Sequence, residues 1–139
     1  MDGLEDQPLG YLLYRVTAAL RPEATAALKP FGLALPEFVC MRILAMRPGR
    51  SNAELARDIN VSPQAMNMVL RGLQDKGVVT RPASVPSGRA LPAQLTAEGK
   101  TLLRRAEAAV KIADELVLAN LTPAQRREFK RLLAAVSSS

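Results

Sequence analysis

The residues that bear chemistry lie in "INVSPQAMNMVLRGL", residues 59–73. Met66, Val69, Leu70 and Leu73 recur at i, i+3, i+4 and i+7, the apolar stripe of a helix. Gln64, Asn67, Met68 and Arg71 recur at the same spacing on the opposite side. A solvated face is usually rich in Lys and Glu, whereas this one carries two amides, a thioether and a guanidinium. Amides offer a paired donor and acceptor to adenine, arginine grips the two acceptors of guanine, and an apolar group touches the thymine methyl. The chemistry predicted is the reading of base edges, and its bland rival is a solvated polar face. Gln64, Asn67 and Met68 fall in the N-terminal half of the helix, the part that enters a groove deepest. Ser62 caps that helix and Pro63 takes its first position, so its first N–H groups can hold a phosphate.

Other chemistries lack their residues. Among 139 residues there is no histidine and a single cysteine, Cys40, so neither an intramolecular disulfide, a zinc site nor a Cys–His nucleophile can be assembled. No glycine-rich phosphate loop and no evident pair of carboxylates is present. We therefore expect no enzyme activity, no metal and no cofactor. Lys and Arg number 19 against 13 acids, a net charge of +6. Residues 71–89 hold Arg71, Lys76, Arg81 and Arg89 against Asp75 alone, an excess suited to a polyanion. The acidic start "MDGLEDQPLG" is unlike an export signal, and no apolar run reaches the roughly 18 residues of a membrane span, so a cytoplasmic protein without membrane contact is expected.

The elements that must position this face follow from the pattern around it. Leu9, Leu12, Leu13, Val16 and Leu20 predict a helix over 9–28, which Pro22 is expected to kink or interrupt. A second helix starts near Pro36 and stops before "RPGR". Ser51 and Glu54 form a Ser-x-x-Glu capping box for a helix of about eight residues with Leu55, Ala56 and Ile59 inward. Asn60 tolerates the left-handed backbone a turn needs, and Val61 fills the corner. Helix, tight turn and second helix, ending at Gly77, make a helix-turn-helix. Ser51 and Asn52, opening its first helix, join the candidate DNA contacts.

"VVTRPASVPSGRALPAQLT" then reads as two short strands about a turn at 84–88, with Pro92 confining the return strand to an edge. A hairpin placed directly after a recognition helix is a wing, with Arg81 on its first limb and Arg89 at its tip. Thr96 caps a long helix in which Leu102, Ala106, Ala109, Ala113, Leu116 and Asn120 form a seam for helix packing. Thr122, Pro123 and Gln125 open a last helix whose apolar side is Phe129, Leu132, Leu133 and Val136. The fold class expected is mainly α with a small β wing.

In this order, "AELA", "VSPQAMNMVLRGLQDKGVVTR" and "LTAEG" resemble the MarR family of bacterial winged helix-turn-helix regulators over roughly residues 8–136. The resemblance implies a homodimer, with a dimerisation lobe at about 8–34 and 97–136 and a winged helix-turn-helix lobe at about 35–96. It implies binding to a pseudo-palindromic double-stranded operator, with recognition helices in major grooves and wings in minor grooves. It also implies repression of efflux or detoxification genes, released by a small aromatic or phenolic acid between the lobes. The family's wing usually carries Asp-x-Arg. Here Ser87-Gly88-Arg89 keeps the arginine and replaces the orienting carboxylate by a hydroxyl.

The remaining residues have two readings each. Tyr11, Tyr14, Arg15, Phe38 and Arg42 suit an aromatic acid between the lobes, or core and dimer packing. Cys40, among Phe38, Val39, Ile43 and Leu44, reads as a small buried residue; relatives that sense peroxide do so from the first helix, beside tyrosines. Arg104, Arg105, Arg126, Arg127, Lys130 and Arg131 read as solvated helix faces. Rival functions are a sequence-indifferent architectural DNA-binding protein, a redox-responsive regulator, and a protein-interaction dimer with a degenerate wing.

Overall fold

A computed structural model describes residues 3–81 and 92–137. After a single 3-10 turn at Leu4–Asp6 come six helices and two strands: α1 (Leu9–Leu28), α2 (Leu35–Met46), α3 (Asn52–Asp58), α4 (Pro63–Asp75), β1 (Val79–Thr80), β2 (Gln94–Leu95), α5 (Ala97–Val117) and α6 (Pro123–Ser137). A second 3-10 turn, Lys29–Phe31, joins α1 to α2.

The local signals act where they occur in the chain. The N–H of Glu54 donates to Ser51 Oγ (3.2 Å) and the N–H of Ser51 to Glu54 Oε1 (3.0 Å), closing the capping box of α3. Thr122 and Gln125 close the same device on α6, at 2.9 and 3.2 Å. β1 and β2 pair antiparallel, Val79 opposite Leu95 and Thr80 opposite Gln94.

Leu28, Met41, Leu55, Met66, Leu70 and Leu73 have almost no exposed surface and form one core with Val79, Leu103 and Ala106. α1 packs chiefly on α5, and α4 packs on α2 and α3. The root of the wing is tied to the start of α5. Thr96 donates its N–H to the Val78 carbonyl (3.0 Å) and its hydroxyl to that of Gly77 (2.8 Å). Gly99 passes so close that an added Cβ would lie 2.0 Å from the Val78 oxygen, which is why a glycine stands in "LTAEG".

Three expectations are corrected. Pro22 does not interrupt α1, which is one helix from Leu9 to Leu28. Pro22 has no N–H to give the Ala18 carbonyl one turn back, but Ala18 is on the exposed side, while Ala24 and Leu28 hold the helix to the core. The seam of α5 keeps Ala106 and Ala113 buried and Leu102 and Ala109 half-buried, as expected, but it also contains Gly99 and Leu103 and does not extend to Leu116 or Asn120. Leu116 is exposed in the single chain, and Asn120 lies beyond the helix end at Val117. Finally, Arg126 is not a solvated side chain. Its Nε donates to the carbonyls of Leu118 and Leu121, both at 3.1 Å, and so satisfies the C-terminal end of α5.

Candidate nucleic-acid interface

The interface is built on α3 and α4. Arg50, just before α3, donates through Nε and Nη2 to both oxygens of Asp58 (3.0 and 2.7 Å) and through Nη1 to Glu54 (2.7 Å). The bond from Arg50 holds the Asp58 carboxyl below its usual range, and the bonds to Ser51, with Arg50 a lesser contributor, do the same for Glu54. Arg50 also braces the two ends of a helix too short to be stable alone. The chain then reverses at Asn60, whose φ of +57° is left-handed. Val61 donates its N–H back to the Ala56 carbonyl (2.9 Å), and Ser62 Oγ accepts from the N–H of Ala65 (3.0 Å), starting α4.

On α4 the two faces separate as predicted. Met66, Leu70 and Leu73 are fully buried, while Gln64, Asn67, Met68 and Arg71 are exposed. Met68 leaves 72% of its surface open, an unusual position for an apolar thioether. Asn52, the first residue of α3, lies between α4 and the wing root. Its Nδ2 donates to Asn67 Oδ1, and its Oδ1 accepts from Arg81 Nη2 (2.9 Å). Ser51, Ser62 and Pro63 are exposed at the starts of the two helices. Ser87 and Arg89 lie outside the described residues.

One structural bridge escaped sequence reasoning. Glu37, only 8% exposed, accepts from the Ala34 N–H (2.9 Å) and from Lys76 Nζ (2.6 Å) at the end of α4. Lys76 is therefore neutralised within the fold. The local signal for Glu37 was its place three residues after Ala34, which caps α2, but Lys76 is 39 residues away.

The five candidate ligand residues fall into two groups. Phe38 and Arg42 share an open groove of about 470 Å³ with Glu107, Val110, Lys111, Asp114 and Lys130, and Arg42 Nη1 reaches Glu107 Oε2 at 3.0 Å. Burial raises the Asp114 carboxyl above its ordinary value, against the opposing charge of Lys130 and with a small push from Glu115. Tyr11, Tyr14 and Arg15 stand on the exposed side of α1, with the Arg15 guanidinium 5.9 Å from the centre of the Tyr11 ring. Within one chain, none of these three lines the groove.

Cys40 is wholly buried, and its thiol is pushed up to about 12, by burial first and by the Glu37 carboxylate second, with Arg81 opposing. A thiol raised this far leaves little thiolate, the nucleophilic form, at neutral pH.

A capped helix, a left-handed corner, a second helix with an amide-bearing outer face and an antiparallel pair behind it define a winged helix-turn-helix protein. The model of the MarR family matches residues 33–91. The chain is 64% identical over 134 residues to "HTH-type transcriptional repressor Rv2887" of Mycobacterium tuberculosis, covering 96% of both proteins. A crystal structure of Rv2887, a Mycobacterium tuberculosis MarR family protein, with salicylic acid superimposes with a TM-score of 0.82 at 64% identity, covering 95% of this chain and 98% of that one. Its complex with DNA does so with a TM-score of 0.82 at 60% identity, covering 96% and 100%. The chain belongs to the MarR family. No described helix is long and apolar enough to cross a membrane.

Proposed function

We propose that this protein is a homodimeric, sequence-specific repressor of transcription that reads a pseudo-palindromic operator and is released from it by a small aromatic acid. The single observation that carries the reading is the polarity of α4. Met66, Leu70 and Leu73 of its apolar stripe are fully buried and Val69 partly so, while Gln64, Asn67, Met68 and Arg71 stand outward together. The relative that is 64% identical is a repressor, and Rv2887 has been crystallised with DNA and with salicylic acid. Gln64, Asn67, Met68 and Arg71 are assigned to base edges, Ser51, Asn52, Ser62 and Pro63 to the helix starts beside phosphates, and Arg81, Ser87 and Arg89 to the wing. Residues of about 35–96 form the DNA-binding lobe, and about 8–34 with 97–136 the dimerisation lobe. The work is binding rather than catalysis, it takes place in the cytoplasm, and the regulated genes serve efflux or detoxification.

The groove of Phe38 and Arg42 is the ligand site on this reading. Lys111 and Lys130 offer charge to a carboxylate, and Phe38 and Val110 offer apolar surface to a ring. Tyr11, Tyr14 and Arg15 join it only where dimer assembly closes the lobes together. Release follows if the ligand prefers a lobe spacing that DNA does not accept.

The test is binding of the purified protein to DNA from upstream of its own gene, against a scrambled duplex, across a salt series. A specific complex with a steep salt slope is expected, weakened by millimolar salicylate. Equal, salt-sensitive binding to both duplexes would favour the architectural reading, and absence of binding at low salt the protein-interaction dimer.

A further inference from the structure

Three side chains at the junction of α3, α4 and the wing root form a chain with a direction. A guanidinium has five donors and no acceptor. The atom of Asn52 that faces Arg81 must therefore be its carbonyl oxygen, as the 2.9 Å contact to Oδ1 has it. With the oxygen committed, the other end of the Asn52 amide is its NH2, and this is the end that meets Asn67. The atom of Asn67 facing it must then be an acceptor, Oδ1. Because the oxygen and nitrogen of an amide lie about 120° apart, turning Oδ1 toward α3 turns Nδ2 away from it. The donor-only character of Arg81 thus passes through two amides to the exposed face of α4.

Resting on the base-reading role proposed above for α4, we propose that Asn52 is a positioning residue that fixes the orientation of the Asn67 amide, so that Asn67 meets the major groove as a donor. An asparagine free to present both ends reads adenine, which pairs an acceptor with a donor. One that presents NH2 alone selects an acceptor edge, guanine first with its N7 and O6, then the O4 of thymine, and it disfavours the amino groups of cytosine and adenine. Arg81 and Asn52 act on DNA through Asn67, in addition to any contact of their own. Asn52 is half-buried between its two partners, so its amide is held between them.

The experiment selects preferred sites from randomised duplexes with the full-length protein, then measures binding to every single-base change of the preferred site. Wild type is expected to favour guanine or thymine by about tenfold at the position whose discrimination is lost in Asn67→Ala. Asn52→Asp keeps an acceptor toward Arg81 but offers Asn67 a second acceptor, which forces the Asn67 amide to rotate. The preference at that position should then reverse toward cytosine or adenine, with other positions unchanged. Asn52→Ala, which removes the constraint without imposing a new one, should flatten the preference to about twofold. In an Asn67→Ala background, Asn52→Asp should change nothing at that position. An unchanged preference in Asn52→Asp would overturn the proposal. So would a reversal that persists without Asn67, because Asn52 would then read the base itself. A wild-type protein that selects no sequence would overturn the base-reading function as well, an outcome distinct from selection that ignores Asn52.

Discussion

Gln64 and Asn67 are both exposed amides on one face of α4, yet they are not equivalent. Asn67 is held by Asn52 and keeps only part of its hydrogen-bonding capacity for a partner outside the protein. Gln64 is one turn nearer the N-terminus and retains both ends of its amide for a base such as adenine. Gln64→Ala is expected to cost about 1–3 kcal/mol on the preferred operator and little on a scrambled one, read from parallel titrations at fixed salt. Equal losses on both duplexes would move Gln64 from base to phosphate contact. At Cys40 the expectation concerns what does not happen. A thiol with its pKa near 12 and no exposed surface should resist iodoacetamide at pH 8 in the folded protein and react fully once unfolded. Alkylation of the native protein within minutes would show that the site opens far more often than its packing implies.

At the scale of elements, the junction between the wing root and α5 has the least room of any described glycine site. Gly99 has no room for a methyl group, because the obstacle is the Val78 carbonyl, a backbone atom that cannot rotate aside. Gly99→Ala should destabilise the fold by about 1–3 kcal/mol and displace β1, measured as a fall in melting temperature together with weaker operator binding. A variant as stable as wild type would mean that α5 slides readily along the wing root. The end of the same helix is held differently, by the Arg126 guanidinium on two carbonyls. Composition had placed that arginine among the solvated ones, and nothing local distinguishes it from Arg127. The element boundaries themselves were legible. Ser51 with Glu54, Ser62 with Pro63, Thr96, and Thr122 with Gln125 each start a helix where the pattern predicts one. These devices work over three residues, so neighbouring sequence contains all their partners. Pro22 does not break α1 because the rule for proline describes a helix in isolation, whereas α1 is packed against α5 and anchored through Ala24 and Leu28.

For the whole molecule, the telling feature is what a single chain leaves uncovered. α6 buries none of its residues completely, and Leu132, Val136 and, on α1, Leu9 and Tyr14 stand open. A helix with an apolar side of this extent is stable only against a partner, and the dimer proposed for this protein supplies a second copy. Leu132→Glu should shift the protein to monomer in sedimentation equilibrium and weaken operator binding by at least about tenfold, since one lobe alone loses the linked second half-site. A variant that remains dimeric and binds normally would place the interface elsewhere.

The sequence by itself determined where helices begin, where the chain turns left-handed at Asn60, and which side of α4 faces inward. Those outcomes depend on capping, backbone sterics and periodicity, which act within one or two turns of helix. It also contained the outward row of Gln64, Asn67, Met68 and Arg71, because a helix face is a matter of spacing. Only the tertiary structure decided which polar groups meet. Asn52 and Arg81 are 29 residues apart, Glu37 and Lys76 are 39, and Arg42 and Glu107 are 65. Such pairs form where the packing of whole helices brings distant positions within 3 Å, and no short-range rule singles out one arginine or one amide from its neighbours. The orientation of the Asn67 amide is the sharpest instance, since its residue type is local but the direction it faces is set through Asn52 by a guanidinium on another element.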